Sequence, residues 1–72
     1  MRLVDTIRKW AAEDAAAFAE EFPGETLEPT CDWDSAAWTE RARDLPEGAD
    51  AGKLWAIYHS ALHDEIKRLA KA

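Results

Sequence analysis

His59 and His63 stand four residues apart, a spacing that puts two imidazoles on one helical face within reach of a single zinc ion. Such a site needs a third protein ligand and usually a fourth. No Glu follows His59, and Ser60 in that place cannot act as the general base of a metalloprotease-type helix. With no further ligand legible beside them, the two histidines read as ordinary residues flanking an apolar stripe, and no metal or other cofactor is expected. Nucleophile chemistry is no better supplied. Thr30 and Ser35 have no His or Lys near them in the sequence, and Cys31 sits among Glu28, Asp32 and Asp34, the wrong surroundings for a reactive thiolate. Carboxylate pairs abound, yet a glycosidase-type pair needs a walled cleft that so small a domain rarely supplies. There is no Gly-rich phosphate loop. An enzyme is not expected.

What remains is the carboxylate series itself: Glu20, Glu21, Glu25, Glu28, Asp32, Asp34, Glu40, Asp44, Glu47 and Asp50. Widened to Glu13, the segment holds twelve carboxylates against Arg41 and Arg43, a net charge of minus ten, while the stretches before and after it are each plus two. The chain's whole net charge of −6 therefore sits in its middle. A field of one sign repels nucleic acid and anionic membrane, and it attracts basic protein surfaces. Duplex DNA carries about one charge per 1.7 Å of axis, and an ordered array of side-chain acids can imitate that density. These ten acids are the expected partner-binding residues, the alternative being a solvated acidic face that keeps a small protein soluble.

The elements that must position them follow from periodicity. Leu3, Ile7, Trp10, Phe18 and Phe22, with Ala11 and Ala15, share one side at helical spacing, which predicts a helix over about 3–22 closed by Pro23-Gly24. Its charges oppose the macrodipole. Arg2, Arg8 and Lys9 lie near the start, and Glu20 and Glu21 lie at the end. Asp14 falls on the apolar stripe, so it is expected to be half-buried against an Arg or a Trp indole N–H. Residues 23–32 read as an acidic loop in which only Thr26 and Leu27 suit a short extended segment. Asp32 or Asp34 is expected to cap a second helix that runs to about Leu45, with Trp38, Ala42 and Leu45 inward. Trp33, five residues before Trp38, lies about 140° around that helix. Of the two it is the one expected half-exposed and it joins the partner-binding set, the alternative being a ring folded over the helix end as a lid on the core. Asp50 caps a third helix to about Lys71, with Leu54, Trp55, Tyr58, Ala61, Leu62, Ile66 and Leu69 on one stripe. Asp5 is expected to pair with Arg8 and Lys9, and Asp64 with Lys67 and Arg68.

At 72 residues, the expectation is one domain over 1–72 with a compact all-α, three-helix fold. Four Trp help to fill its core, and the lone Cys31, expected buried or half-buried, leaves no internal disulfide. No signal peptide or membrane-length apolar run is legible, so an intracellular protein is expected.

In size, acidity and helical make-up the chain resembles the small phage-encoded anti-CRISPR proteins that act on type I systems. Some of these mimic DNA, and the Glu20–Asp50 series matches that habit. The resemblance implies a monomeric inhibitor in the bacterial host cytoplasm. It would bind a basic DNA-reading subunit of the surveillance complex, or the associated helicase-nuclease, without touching nucleic acid. A small regulatory or antitoxin-like module that docks through Trp33 and an apolar patch is the alternative.

Overall fold

The Ala-rich run of 11–19 favours a helix before any packing is considered, and the chain forms one, α1, over Leu3–Glu21. The structure is a computed structural model that describes residues 2–28 and 31–71. Phe22 Cα leaves helical geometry, and Pro23-Gly24 then turn the chain: the Glu25 N–H reaches the Phe22 carbonyl at 3.1 Å with Gly24 at φ 78°. This is a type II turn, with Pro and Gly at the two positions that favour them. A similar turn closes the second connection, where the Ala49 N–H meets the Pro46 carbonyl at 3.2 Å with Gly48 at φ 86°, but there Glu47 and Gly48 are the central residues and Pro46 opens the turn.

Helix α2 covers Trp33–Ala42 and α3 covers Ala51–Lys71. No strand occurs among the described residues, and 25–28 and Cys31 are irregular, so Thr26 and Leu27 pair with nothing extended. Pro29 and Thr30, both read as loop, lie outside the described residues. The all-α, three-helix architecture is as expected. The second helix is shorter than its pattern suggests, because the Asp44 and Leu45 N–H groups bond three residues back, to Arg41 and Ala42. Leu45 precedes Pro46, a position that disfavours the α conformation. At the other end Asp32 occupies the N-cap position without a side-chain cap bond. Asp50 does cap α3, accepting the Lys53 N–H on Oδ1 at 3.1 Å.

The core is a partnership of the first and last helices. Ile7, Ala11, Ala15 and Phe18 of α1 and Leu54, Tyr58, Leu62 and Ile66 of α3 form the buried apolar cluster, at the three- and four-residue spacings that both stripes predict. Helix α2 adds no fully buried apolar side chain. It lays Trp33, Ala37 and Trp38 over the edge of the cluster, and its one buried residue is Asp34. Folded, the chain extends 37 × 26 × 16 Å, little more than the roughly 31 Å of a 21-residue helix. Among the described residues, no helix is long and apolar enough to cross a membrane.

Candidate functional site

Nine of the ten acids in the Glu20–Asp50 series are exposed. Glu20 and Glu21 end α1, where no basic side chain offsets them. Glu25 and Glu28 stand in the first connection, Asp32 at the start of α2, Glu40 on its outer face, and Asp44, Glu47 and Asp50 in the second connection. Only Glu40 has a cation within ion-pair distance among the described residues, Arg43 at 3.4 Å, and both are largely solvated. Asp50 is engaged by its cap. That leaves Glu20, Glu21, Glu25, Glu28, Asp32, Asp44 and Glu47 without a cationic partner among the described residues. Raising salt from low to moderate concentration is therefore expected to stabilise the fold, because screening relieves their mutual repulsion while the partly buried pairs are screened less. Urea midpoints at two ionic strengths would show it, and an unchanged or falling midpoint would contradict the repulsion.

Asp34 is the exception and corrects the sequence reading. It is 7 % exposed and turned inward. Its spacing to Ala37, Trp38 and Arg41 is that of one helical face, so the stripe that buries Trp38 also carries Asp34 and Arg41 to the core side. Oδ1 accepts the Ser35 N–H at 2.8 Å. Oδ2 faces two imidazoles of α3, with His63 Nε2 at 3.0 Å and His59 Nε2 at 3.3 Å. The rings lie 4.2 Å apart between centroids, and Trp55 flanks His59 at 5.2 Å. Among the described residues, Asp34, His59 and His63 are the group whose metal-ligating atoms converge, all within 4.8 Å of one another. The histidine pair was legible in the sequence. Its third partner was hidden because Asp34 stood among nine other acids.

Asp14 is half-buried as expected, and Arg41 is its partner. The guanidinium donates from Nη2 to Oδ1 at 2.8 Å and from Nε to Oδ2 at 3.3 Å. It also lies over the Trp10 ring at 5.5 Å, so one cation fastens α2 to α1 by charge and by its planar face. The third member was not foreseen: the Tyr58 hydroxyl donates to Asp14 Oδ2 at 2.7 Å from a fully buried ring. Burial first, and then that hydrogen bond, hold the Tyr58 phenol far above the ordinary tyrosine value. The hydrogen bond to Asp14 likewise raises Arg41 further. Arg41 is thus a structural cation and neutralises none of the exposed series.

Trp33 is neither free nor deeply buried. Its ring meets Phe18 edge-on at 5.3 Å, which makes it a lid on the end of the core. Trp10, Trp38 and Trp55 are half-buried as well, so no single Trp is set apart by exposure. Beside Trp33 lies a pocket of about 220 Å³ lined by Phe18, Phe22, Glu25, Thr26, Glu28 and Cys31. The Cys31 thiol is exposed rather than buried, since it falls in the connection before α2 and not on a helix stripe. Pairing in the terminal helices also departs from expectation. Asp5 meets Arg2 at 3.5 Å, and Arg68 meets Glu65 rather than Asp64, holding Glu65 below the usual carboxylate range. Comparison of the chain with protein-family models, curated proteins and solved structures finds no match.

Proposed function

We propose that this domain works by binding and not by catalysis: it is an inhibitor that sets an acidic face against a basic, nucleic-acid-reading protein surface, in the place DNA phosphates would take. The observation that carries this reading is the set of seven exposed carboxylates without a cationic partner among the described residues, from Glu20 to Glu47. Stability alone gives no reason to leave them so. Glu20 and Glu21 oppose the α1 macrodipole, and a local rule broken without compensation points to function. A DNA-reading subunit of a type I CRISPR surveillance complex, or its helicase-nuclease, in a bacterial cytoplasm is the partner we infer from the resemblance in size and charge.

A second reading has its own observation. The pocket walled by Phe18, Phe22 and Trp33 and rimmed by Glu25 and Glu28 suits an apolar or basic side chain of a regulatory or antitoxin-type partner, with Trp33 as the anchor. Asp34, being buried, belongs to neither surface. The test compares wild type, a fourfold variant (Glu21, Glu25, Glu28 and Asp32 each to Lys) and Trp33→Ala, each checked for unchanged helix content. Binding to a purified DNA-reading effector is measured at two salt concentrations and with competing duplex DNA. Mimicry predicts that DNA competes, that affinity falls steeply with salt, and that the fourfold variant loses at least about tenfold although each charge alone matters about fivefold or less. If DNA does not compete and only Trp33→Ala weakens binding, by about thirtyfold, the pocket reading replaces it.

A further inference from the structure

We infer that Asp34, His59 and His63 form a binding site for a zinc-class divalent cation that ties the start of α2 to the middle of α3. This stands independently of the acidic-face reading. Two imidazole nitrogens and one carboxylate oxygen lie within 4.8 Å of one another, with nitrogen-to-oxygen separations of 3.0 and 3.3 Å. Ligands about 2.0–2.1 Å from a tetrahedral zinc lie roughly 3.3 Å apart. Two of the three ligand separations are therefore already those of a zinc polyhedron, and the third lies within 4.8 Å, so a bound cation has only the spacing of the two imidazoles left to set.

The surroundings match the requirement of such a site for orientation. His59 and His63 are one turn apart on a rigid 21-residue helix, and their rings are inclined by 33°. The Asp34 carboxylate is aimed by its other oxygen, which the Ser35 backbone N–H holds. A hydrogen bond from the backbone to a ligating carboxylate is the outer shell that metal sites depend on. Exposure is graded. The side chain of Asp34 is 9 % exposed, that of His63 22 % and that of His59 45 %, so the site is walled by both helices and open on one side. Three protein ligands with an open side leave the fourth position to water or to a group from outside the chain.

A hydrogen-bonding role alone would need less. One imidazole suffices to satisfy Asp34 Oδ2, yet two are brought to the same oxygen. Two imidazoles with one carboxylate favour zinc and its transition-metal neighbours over magnesium or calcium, which select oxygen ligands. The surrounding segment of net charge minus ten raises the local concentration of any cation.

The experiment uses the full chain carrying Cys31→Ser, which removes the exposed thiol as a competing ligand. Melting is followed by circular dichroism with zinc, cobalt or magnesium chloride and with a chelator, and stoichiometry by calorimetry. One zinc per chain should bind and raise the melting temperature by about 5 °C or more, reversibly with chelator, while magnesium gives no rise. His59→Ala and, separately, His63→Gln should remove the rise. Because either substitution removes a contact that holds α2, imidazole nitrogen resonances are also recorded on the chain with both histidines intact: zinc should shift the Nε2 signals of both histidines together, to saturation at one equivalent. Absence of stoichiometric binding, a rise that survives both histidine substitutions, or Nε2 signals that do not move would each overturn the assignment.

Discussion

Replacing Leu62 by Ala is expected to cost about 2.5–5 kcal/mol, because it removes a side chain that is 0 % exposed and leaves a cavity between helices that can close only partly. For a domain of 72 residues, total stability is on the order of 4–11 kcal/mol. One substitution would thus consume a large part of it. At roughly 4–8 °C per kcal/mol for this size, the melting temperature should fall by at least about 10 °C. Urea unfolding should show a lower midpoint at unchanged slope, since the surface exposed on unfolding is nearly the same. Leu69→Ala is the control: that side chain is only half-buried at the edge of the cluster and should cost clearly less. Equal losses at the two positions would mean that the centre of the α1–α3 interface is not where these contacts put it.

The second large effect belongs to Asp14. Asp14→Ala leaves the Arg41 guanidinium only the Glu13 carboxylate at 4.0 Å and leaves the Tyr58 hydroxyl without its acceptor, and the expected loss is about 2–4 kcal/mol. Tyr58→Phe removes only the donor and should cost about 1 kcal/mol. The same trio fixes the response to alkali. Tyr58 stays protonated in the fold well above the point, near pH 10, where an unfolded tyrosine ionises. Above that pH the unfolded chain holds fewer protons than the folded one, so this contribution is fully present below about pH 10 and is lost as pH rises beyond it. Tyr58 is the chain's single tyrosine, which makes tyrosinate absorbance report it alone. The absorbance should rise together with the loss of helical ellipticity, in one cooperative step. Phenolate appearing near pH 10 in a chain that is still helical would show that Asp14 and burial do not protect it.

How much of this could be read from the sequence depends on where each residue's partner lies. The stripes of the first and third helices were legible because their period is local: Ile7, Ala11, Ala15 and Phe18, or Tyr58, Leu62 and Ile66, announce their shared face without reference to anything else. Asp14 was legible as half-buried for the same reason. Its partners were not, since nothing in the sequence states that position 14 meets positions 41 and 58. The second helix was the hardest. Its inward face is Asp34, Ala37, Trp38 and Arg41, a stripe with a charge at each end, and composition alone assigned those charges to solvent. The Cys31 thiol was misplaced because burial statistics for cysteine describe packed elements, and this one precedes a helix.

That the buried cluster joins the first and last helices has a bearing on how the chain comes off the ribosome. Residues 22–50 must be synthesised between α1 and α3, so the buried face of α1 at Ile7, Ala11 and Ala15 waits for α3, and only Phe18 meets an earlier partner, Trp33 of α2. Closing so long an intervening loop costs entropy before any burial offsets it. Helix α2 cannot nucleate the process instead, since it supplies no fully buried apolar side chain of its own. Folding is therefore completed only after α3 has cleared the exit tunnel. In the interval α1 rests mainly on intrinsic propensity, and Ala11, Ala12, Ala15, Ala16, Ala17 and Ala19 give it the composition a waiting helix needs.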